Sequence, residues 1–284
     1  MKIAFVGAGR LGQTLAAAFF EAGWAVTGVA SRSAGSSDLL AKAAGAGCTV
    51  YRHPQEAVDA ADLVFLTVPD DAIQSLASGL RWRQGQSVVH CSGATEVSVL
   101  AQAQEQGAQI GGFHPLQLFA DPVLALPRVA GSSVAIEACE ALLPTLTQLA
   151  ESVGYRPITL PPGVRGRYHA ATNYSASFLL SLLREACDLW NAFGVDDKTA
   201  LAALLPLAHG TLDAAEARGL AGALSGPISR GDAGVVRRHV TDLAATSADA
   251  VEFYRTMARR QILLAKENGR LSPDDIARVE ASLG

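Results

Sequence analysis

Two short segments carry side chains that could move a proton. Residues 90–95, HCSGAT, and residues 111–117, GGFHPLQ, each continue a run typical of a buried strand. A hydride transfer to a carbonyl or imine requires a proton donor or acceptor beside the developing charge, and histidine titrates in the required range. The sequence therefore predicts His114 as the acid or base, and Ser92 as a group that orients a substrate or polarises a carbonyl. The alternative for His114 is a turn histidine before a proline.

A second polar pair is predicted on a helix in the second half of the chain. His169 and Asn173 are four residues apart, so both side chains lie on one helical face. The rest of that helix is mostly apolar, and polar groups on such a helix need hydrogen-bond partners. A cleft between two domains would supply them, which makes both residues candidates for catalysis and substrate positioning. The alternative is a pair of structural hydrogen bonds between helices.

A glycine-rich turn near the start of the chain meets the requirements of a phosphate-binding loop. It follows a predicted strand and opens an amphipathic helix. In such a turn the first glycine permits the tight bend, the second lets a phosphate approach, and the third lets helix and strand pack closely. The phosphate then meets unpaired N–H groups at the positive end of the helix. The pattern predicts a site for the pyrophosphate of a dinucleotide, formed by Gly7, Ala8, Gly9, Arg10, Leu11 and Gly12.

The residues after the second predicted strand favour NADP over NAD. An acid at this position binds the ribose 2′-hydroxyl of NAD, whereas a basic residue accommodates the 2′-phosphate of NADP. The sequence has Ser31, Arg32 and Ser33 here and no acid. An arginine can stack on adenine and pair with the phosphate, and the serines can donate hydrogen bonds to it. The alternative for Arg32 is a solvated loop side chain.

The fourth predicted strand ends in LTVPDD at residues 66–71. Backbone at the carboxyl edge of such a sheet lies beside the nicotinamide ribose, so we expect Val68 and Pro69 to contact the cofactor. Asp70 is predicted to cap the next helix at its N-terminus, and Thr95 is predicted to cap the helix that follows Ser92.

These candidates require a different architecture in each part of the chain. Up to about residue 160, apolar runs alternate with helical patterns, and strands that are apolar on both faces are typical of a parallel sheet covered by helices. The fold class is therefore α/β, with a doubly wound Rossmann domain at 1–160 and an all-α domain at 161–284. The predicted strands are 2–6, 25–30, 49–51, 63–68, 87–90, 109–112, 133–136 and 156–160. The predicted helices of the second domain are 164–193, 196–220, 232–245, 248–268 and 273–283.

Composition argues against several classes of function. The net charge is −4 and no basic stripe is present, so nucleic acid is not an expected partner. The four cysteines are far apart, and no group of His, Cys and acidic residues has metal-ligand spacing, so neither disulfides nor a metal site is expected. The apolar stretches are shorter than the ~20 residues of a membrane span. We expect a cytoplasmic protein with a small-molecule substrate.

The motifs together resemble one family, the Rossmann-like proteins that carry a C-terminal domain of unknown function numbered 2520. The resemblance is carried by GAGRLG at residue 7, ASRS at 30, VPDDAI at 68, HCSGATE at 90, GGFHPLQ at 111, HAATNY at 169 and GPISRGD at 226. It implies an NADP oxidoreductase within the 6-phosphogluconate dehydrogenase-like superfamily. It also implies a homodimer formed through the helical domain.

Three kinds of function remain open at this point. The first is an NADP-dependent dehydrogenase or reductase with a small polar substrate in the interdomain cleft, in which His114 is the acid or base and Asn173 and Ser92 position the substrate. The second is a catalytically silent NADP-binding regulatory protein, since the lysine of the similar hydroxyacid dehydrogenases is missing near His169 and Asn173. The third is an imine reductase resembling pyrroline-carboxylate reductase, in which the C=N bond needs little help from a side chain.

Overall fold

The computed structural model describes residues 1–284 and contains one eight-stranded sheet. Its strands are β1 (Lys2–Val6), β2 (Ala25–Ala30), β3 (Thr49–Tyr51), β4 (Leu63–Leu66), β5 (Ser87–His90), β6 (Gln109–Pro115), β7 (Ser133–Ala138) and β8 (Arg156–Thr159). They lie in the order β3-β2-β1-β4-β5-β6-β7-β8. The first six strands in this order follow the doubly wound Rossmann arrangement, in which ligands bind at the carboxyl edge.

The strands are parallel at every pairing except the one between β6 and β7. The predicted parallel sheet therefore has one antiparallel pair, with His114 opposite Ala135. A parallel crossover must carry the chain back to the opposite edge before the next strand begins. Here the Leu116 N–H donates to the Ser133 carbonyl oxygen at 2.9 Å, so β7 begins beside the end of β6 and runs the other way.

Helices alternate with the strands along the first part of the chain. They are α1 (Arg10–Glu21), α2 (Ala34–Ala43), α3 (Pro54–Asp59), α4 (Asp70–Ser78), α5 (Ala101–Glu105), α6 (Pro122–Ala125), α7 (Leu143–Ser152) and α8 (Arg165–Ser175). Short 3-10 turns lie at Val97–Leu100 and Leu126–Arg128. The sheet and these helices form one compact unit, Met1–Ser175.

Buried aromatic rings hold the central strands together. Phe5 on β1 stacks on Phe65 of β4 with ring centres 5.3 Å apart, and Phe65 meets Phe113 of β6 edge to face at 5.6 Å. Phe19 of α1 packs on Phe65 at 5.3 Å. All four rings are fully buried, and burial of a ring of this size contributes about 1.5–3 kcal/mol. The packing fixes the ends of β1, β4 and β6, which carry the predicted site residues.

The second compact unit, Ala176–Gly284, is entirely helical. Its helices are α9 (Ser177–Asn191), α10 (Asp197–Ala223), α11 (Ala233–Ala244), α12 (Ala248–Asn268) and α13 (Pro273–Ala281), with a 3-10 turn at Ile228–Arg230. The backbone of α10 is kinked at Gly219, whose φ of +70° and ψ of 170° are not helical. Its small core includes Ile228, Val236, Ile262 and Val279. None of the helices has the length and apolar character needed to cross a membrane.

The helix predicted over 164–193 is wrong as a single element. Ala176 has φ −116° and ψ −89°, which are not helical angles, so the chain forms α8 and α9 instead. The break coincides with the boundary of the two compact units, and α8 is thus packed with the sheet. The division of function between a cofactor domain at 1–160 and a substrate domain at 161–284 stays a prediction.

Candidate functional site

The turn between β1 and α1 has a geometry that requires glycine. Gly7 has φ +104°, and a Cβ on it would lie 2.4 Å from the Thr67 carbonyl oxygen. A Cβ on Gly12 would lie 2.8 Å from Thr67 Oγ1, which donates to the Gly7 carbonyl oxygen at 2.7 Å. Gly9 instead faces open space, and no side chain caps α1. The free N–H groups of α1 and the space at Gly9 fit a pyrophosphate.

The turn forms one wall of a cleft of about 560 Å³ at the carboxyl edge of the sheet. A volume of this size is within the ~300–1,000 Å³ of small-molecule and cofactor sites. The structure brings seven of the predicted cofactor residues into the lining: Gly7, Ala8, Gly9, Ser31, Arg32, Val68 and Pro69. The lining also contains Arg52, which the sequence motifs did not single out.

The other four predicted cofactor residues lie outside this lining. The guanidinium of Arg10 donates to a loop carbonyl oxygen at 2.9 Å. Leu11 packs against the core beneath the sheet, and Gly12 packs against the strand end. Ser33 is the N-cap of α2, and its Oγ accepts from the Ser36 N–H at 3.3 Å. The side chains of Arg10 and Ser33 are thus engaged in hydrogen bonds within the protein, whereas Leu11 and Gly12 provide packing contacts.

Two predicted helix caps are instead partners of Ser92. Pro69 is the N-cap of α4 and Asp70 is its first helical residue, so the prediction for Asp70 is wrong. Because β4 and β5 are neighbours, the Asp70 carboxylate reaches Ser92, whose Oγ–H donates to Oδ2 at 2.6 Å. Thr95 caps no helix either, since Glu96 is the N-cap of the following turn. The Thr95 N–H donates to Ser92 Oγ at 3.0 Å, and the two hydroxyl oxygens are 2.8 Å apart.

His114 lies within β6, next to its last residue, whereas the sequence predicted it in a loop after the strand. Its half-buried ring has Nδ1 2.8 Å from the hydroxyl of Tyr168 on α8. The ring centres of His114 and His169 are 5.8 Å apart, with one edge toward the other face. We call His114, Tyr168 and His169 the histidine cluster. Sequence analysis missed Tyr168, because a residue next to His169 is expected on another side of the helix.

Gly93 joins the histidine cluster to the loop that carries Ser92. A Cβ on Gly93 would lie 2.4 Å from His169 Cδ2 and 2.9 Å from His114 Cε1 and Nε2. Both rings therefore pack on the backbone directly after Ser92. The polar ends of β4, β5 and β6 form one continuous site.

The environment of His114 keeps its imidazole uncharged. Burial, together with the charges of His169 and Arg165, lowers the pKa of His114 to about 4, although Asp70 opposes the effect. Burial also raises the pKa of Tyr168 to about 12. At neutral pH the pair is thus a neutral imidazole and a protonated phenol. When the phenol donates to Nδ1, Nε2 carries the ring proton.

A buried ion pair, Arg165 with Glu137, contacts the backbone of the site. Arg165 is fully buried, its Nε donates to Glu137 Oε2 at 2.5 Å, and its Nη1 donates to the Ser92 carbonyl oxygen at 2.8 Å. Its backbone N–H donates to the Glu96 carboxylate at 3.1 Å. A Cβ on Gly112 would lie 2.0 Å from Arg165 Nη2. Sequence analysis missed this pair, and the available signal was Glu137, an acid inside an otherwise apolar strand.

The predicted pair on α8 is divided by the structure. His169 belongs to the histidine cluster. Asn173 lies one turn further along α8, half-buried, and makes no hydrogen bond to His114 or Ser92. Its role in positioning a substrate stays a prediction.

The doubly wound sheet and its glycine turn define a Rossmann-like protein, and family comparisons agree. The Rossmann-like domain matches residues 1–115, and a domain of unknown function, DUF2520, matches residues 132–261. The two matches cover most of the chain. The chain belongs to the family of Rossmann-like proteins with a DUF2520 domain, as its motifs indicate.

Solved structures share this fold over nearly the whole chain. Protein TM1727 of Thermotoga maritima is 23% identical with a TM-score of 0.75, covering 94% of this chain and 100% of its own. BF3122 of Bacteroides fragilis, provisionally named an NADP oxidoreductase, is 23% identical with a TM-score of 0.70, covering 91% and 96%. An imine reductase variant of Myxococcus stipitatus in complex with NAD+ is 17% identical with a TM-score of 0.63, covering 98% of each chain.

Further structures of this fold include pyrroline-carboxylate reductases and a reductive aminase in complex with NADPH. No curated protein matches the sequence of this chain at a significant level. The structural likeness, at these identities, establishes the fold.

Proposed function

We propose that the protein is an NADP(H)-dependent oxidoreductase that moves a hydride to or from a small polar substrate. The proposal rests on one observation: the cleft and the histidine cluster lie next to each other along the carboxyl edge of the sheet. Val68 and Pro69 line the cleft, and the next residue, Asp70, bonds Ser92 beside the histidine cluster. A dinucleotide with its pyrophosphate on the glycine turn extends its nicotinamide toward the residues after β4. When bound, the nicotinamide supplies or accepts the hydride.

The cofactor proposed is NADP rather than NAD. Arg32 and Ser31 line the cleft where the adenosine ribose of a dinucleotide lies, and no carboxylate lines it. Structures of the same fold are described with NADPH, NADP or NAD+ bound, which supports a nicotinamide cofactor without choosing between them.

We assign His114 the role of a neutral base or hydrogen-bond donor. During oxidation of a substrate, the uncharged imidazole accepts the proton of a hydroxyl or amine at Nε2, in the tautomer whose Nδ1–H donates to the Tyr168 oxygen. During reduction, its Nε2–H donates a hydrogen bond that polarises the double bond, while Tyr168 holds Nδ1. Burial lowers the pKa of this ring, so the ring is uncharged at neutral pH in both roles.

Ser92 is better suited to holding the site than to polarising a carbonyl. Its proton is donated to the Asp70 carboxylate, and its oxygen accepts from the backbone and hydroxyl of Thr95. A hydroxyl has one donor and two lone pairs, so these contacts use its full capacity. We therefore assign Ser92 the role of positioning Asp70 and the Gly93 backbone.

Reduction of a C=N bond is the second candidate, and the pKa of His114 favours it. Reduction of a carbonyl leaves an alkoxide that needs a proton, and an imidazole with a pKa of about 4 is not present as the acidic imidazolium at neutral pH. A protonated iminium becomes a neutral amine on hydride addition, so no further proton is required. Several structures of the same fold are named as imine reductases.

The decisive experiment measures NADPH oxidation on a panel of keto acids and cyclic imines, with NADPH binding followed separately. We expect turnover of one class and a loss of about 10²- to 10⁴-fold in kcat for His114→Ala at unchanged NADPH affinity. Asn173→Ala should raise KM more than it lowers kcat. The exposed Arg81, outside the cleft and the histidine cluster, provides the control Arg81→Ala. Tight NADPH binding without turnover of any substrate would favour a silent regulatory protein.

We also propose a homodimer formed through the helical unit. Only Ala200 of the 27-residue α10 is buried, whereas Leu207, Leu212 and Leu220 are 69%, 54% and 71% exposed. Exposed apolar surface on this scale is typical of an interaction site. A second copy of this chain is the occupant we propose, in the reducing cytoplasm that four unpaired cysteines favour.

A further inference from the structure

Arg52 lies at the adenosine end of the cleft, although no motif singled it out. It directly follows β3, which pairs with β2 so that Ala30 lies opposite Tyr51. Ser31 and Arg32 follow the end of β2, and Arg52 follows the end of the adjacent strand β3. Both arginines line the same cleft.

The charged residues that line the cleft are all positive. Arg32 and Arg52 are its two charged residues, and it contains no aspartate or glutamate. Neither guanidinium forms an ion pair with a carboxylate, and both side chains are exposed. Two unpaired guanidinium groups in one cleft repel, and a bound anion would relieve that repulsion.

The lining of the cleft also contains hydroxyl groups and apolar side chains. Ser31 and Ser36 provide hydroxyl groups near the arginines. Pro54, Ala72 and Leu76 provide an apolar surface of the kind that accepts a purine ring. The purine therefore has a surface of its own, which leaves both guanidinium groups for a more strongly charged part of the ligand.

We propose that Arg52 and Arg32 form a two-arginine clamp for the 2′-phosphate of the adenosine ribose, a phosphomonoester. The inference rests on the proposed function, because it presumes that the cleft takes NADP(H). Each guanidinium presents a planar fork of N–H donors that matches phosphate oxygens, so arginines from two strand ends can hold a dianion between them. Arg52 is then a specificity-determining residue that distinguishes NADP from NAD.

The experiment compares two ligands that differ only in the 2′-phosphate: adenosine 2′,5′-bisphosphate and AMP. Calorimetry on the full chain gives both affinities, and NADPH and NADH are compared in the same way by fluorescence. We expect Arg52→Ala to weaken the bisphosphate about 10- to 100-fold and to leave AMP unchanged. Arg52→Lys should fall between the two, because it keeps the charge and loses the fork. Arg81→Ala removes an exposed arginine outside the cleft and should change neither affinity.

A second readout uses the coupling of the two arginines. If both hold one phosphate, the losses in Arg32→Ala, Arg52→Ala and the double variant will not add, and the salt dependence of bisphosphate binding will fall in each. Equal weakening of AMP and the bisphosphate by Arg52→Ala would overturn the clamp and indicate stacking on adenine. An unchanged bisphosphate affinity would overturn it as well.

Failure of the clamp and failure of the proposed function give different results. If the parent protein prefers the bisphosphate and only Arg32→Ala abolishes that preference, Arg52 has no part in it and the cofactor assignment stands. If the parent protein binds neither NADPH nor NADH, the proposed function fails and the clamp fails with it.

Discussion

At the scale of single residues, the site depends on two side chains, predicted as helix caps, that bond Ser92 instead. Asp70 stands where an acid commonly caps a helix, yet its carboxylate accepts a hydrogen bond from the Ser92 hydroxyl at the neighbouring strand end. A charge-assisted bond of 2.6 Å is stronger than a neutral one. Thr95 bonds Ser92, three residues before it, and Asp70 and Thr95 together fix the position of the Ser92 hydroxyl.

The first prediction concerns the room that Gly93 leaves for the histidine cluster. In Gly93→Ala the new Cβ would meet the His114 and His169 rings, so one or both must shift. A displacement of about 1 Å at a reacting group lowers kcat on the order of 100-fold. We expect that loss of turnover with unchanged NADPH affinity, and altered ring-proton shifts of both histidines by NMR.

Gly35 provides the control for this substitution. It lies in α2 with no atom within 4 Å of a Cβ and without a positive φ, so Gly35→Ala should leave turnover unchanged. If Gly93→Ala retains full turnover and parent-like histidine shifts, the cluster does not depend on the Gly93 contact.

At the scale of elements, α8 is joined to the sheet through one buried cation. Arg165, at the start of α8, binds Glu137 on β7 and the carbonyl oxygen that follows β5. The antiparallel direction of β7 is what brings Glu137 to this position, since a parallel strand would present its residues in the opposite order. The helix that carries Tyr168 and His169 is thereby fixed against the ends of the strands.

The second prediction is that removing one partner of the ion pair lowers the free energy of unfolding. Glu137→Gln leaves the Arg165 charge buried without a carboxylate, and removal of one partner of a buried pair destabilises by about 3–5 kcal/mol. Urea denaturation, followed by a probe in the sheet unit, measures the change in the free energy of unfolding. The double variant Arg165→Met with Glu137→Leu should recover much of the loss, because it removes both charges together.

Arg156→Ala is the matched control for charge removal in the same unit. Arg156 is an exposed residue of β8, so its loss should shift the unfolding midpoint little. A Glu137→Gln protein as stable as its parent would show that the pair contributes nothing to the fold.

At the scale of the whole molecule, two buried histidines make stability depend on pH. Burial and the Arg165 charge lower the pKa of His90 to about 3, and the pKa of His114 is about 4. Both values lie below the ~6.5 of an unfolded chain. The unfolded state therefore binds protons first as the pH falls, and folding stability is lost between about pH 6.5 and pH 3.

The third prediction follows from His90, which is fully buried and has no hydrogen-bond partner on either ring nitrogen. His90→Leu removes a group whose pKa is lower in the folded state than in the unfolded state. We expect a shallower fall of Tm between pH 7 and pH 4 than in the parent, and no loss of Tm at pH 7. His53→Gln, at an exposed position of the sheet unit, should follow the parent curve. Identical slopes for His90→Leu and the parent would contradict the assignment.

The fourth prediction concerns the proposed homodimer. A chain of 29.5 kDa should give twice its own mass by light scattering. Leu207→Asp with Leu212→Asp places two charges on the exposed face of α10 and should yield the mass of a single chain. An exposed leucine of the sheet unit, Leu118, provides the control Leu118→Asp. A parent protein with the mass of one chain would exclude the dimer.

Much of the fold was accessible from the sequence because its signals are local. A buried strand is recognisable from five or six consecutive residues, and Lys2–Val6 and Ala25–Ala30 lie where the pattern predicted them. The glycine turn is equally local, since Gly7 and Gly12 serve a bend and a close packing contact within one short segment. The cofactor cleft was therefore largely predictable, whereas Arg52 was not, because its place depends on the pairing of β3 with β2.

The sequence by itself determined the strands, most helices, the glycine turn and the candidate residues His114 and Arg32. Tertiary structure alone decided which side chains meet: Asp70 with Ser92, Glu137 with Arg165 and His114 with Tyr168, over separations of 22, 28 and 54 residues. Periodicity reports which face of an element is buried, but a hydrogen bond between distant residues depends on strand order and direction. Those properties exist only in the folded sheet, and in this protein they determine the protonation of the histidine on which the proposed chemistry depends.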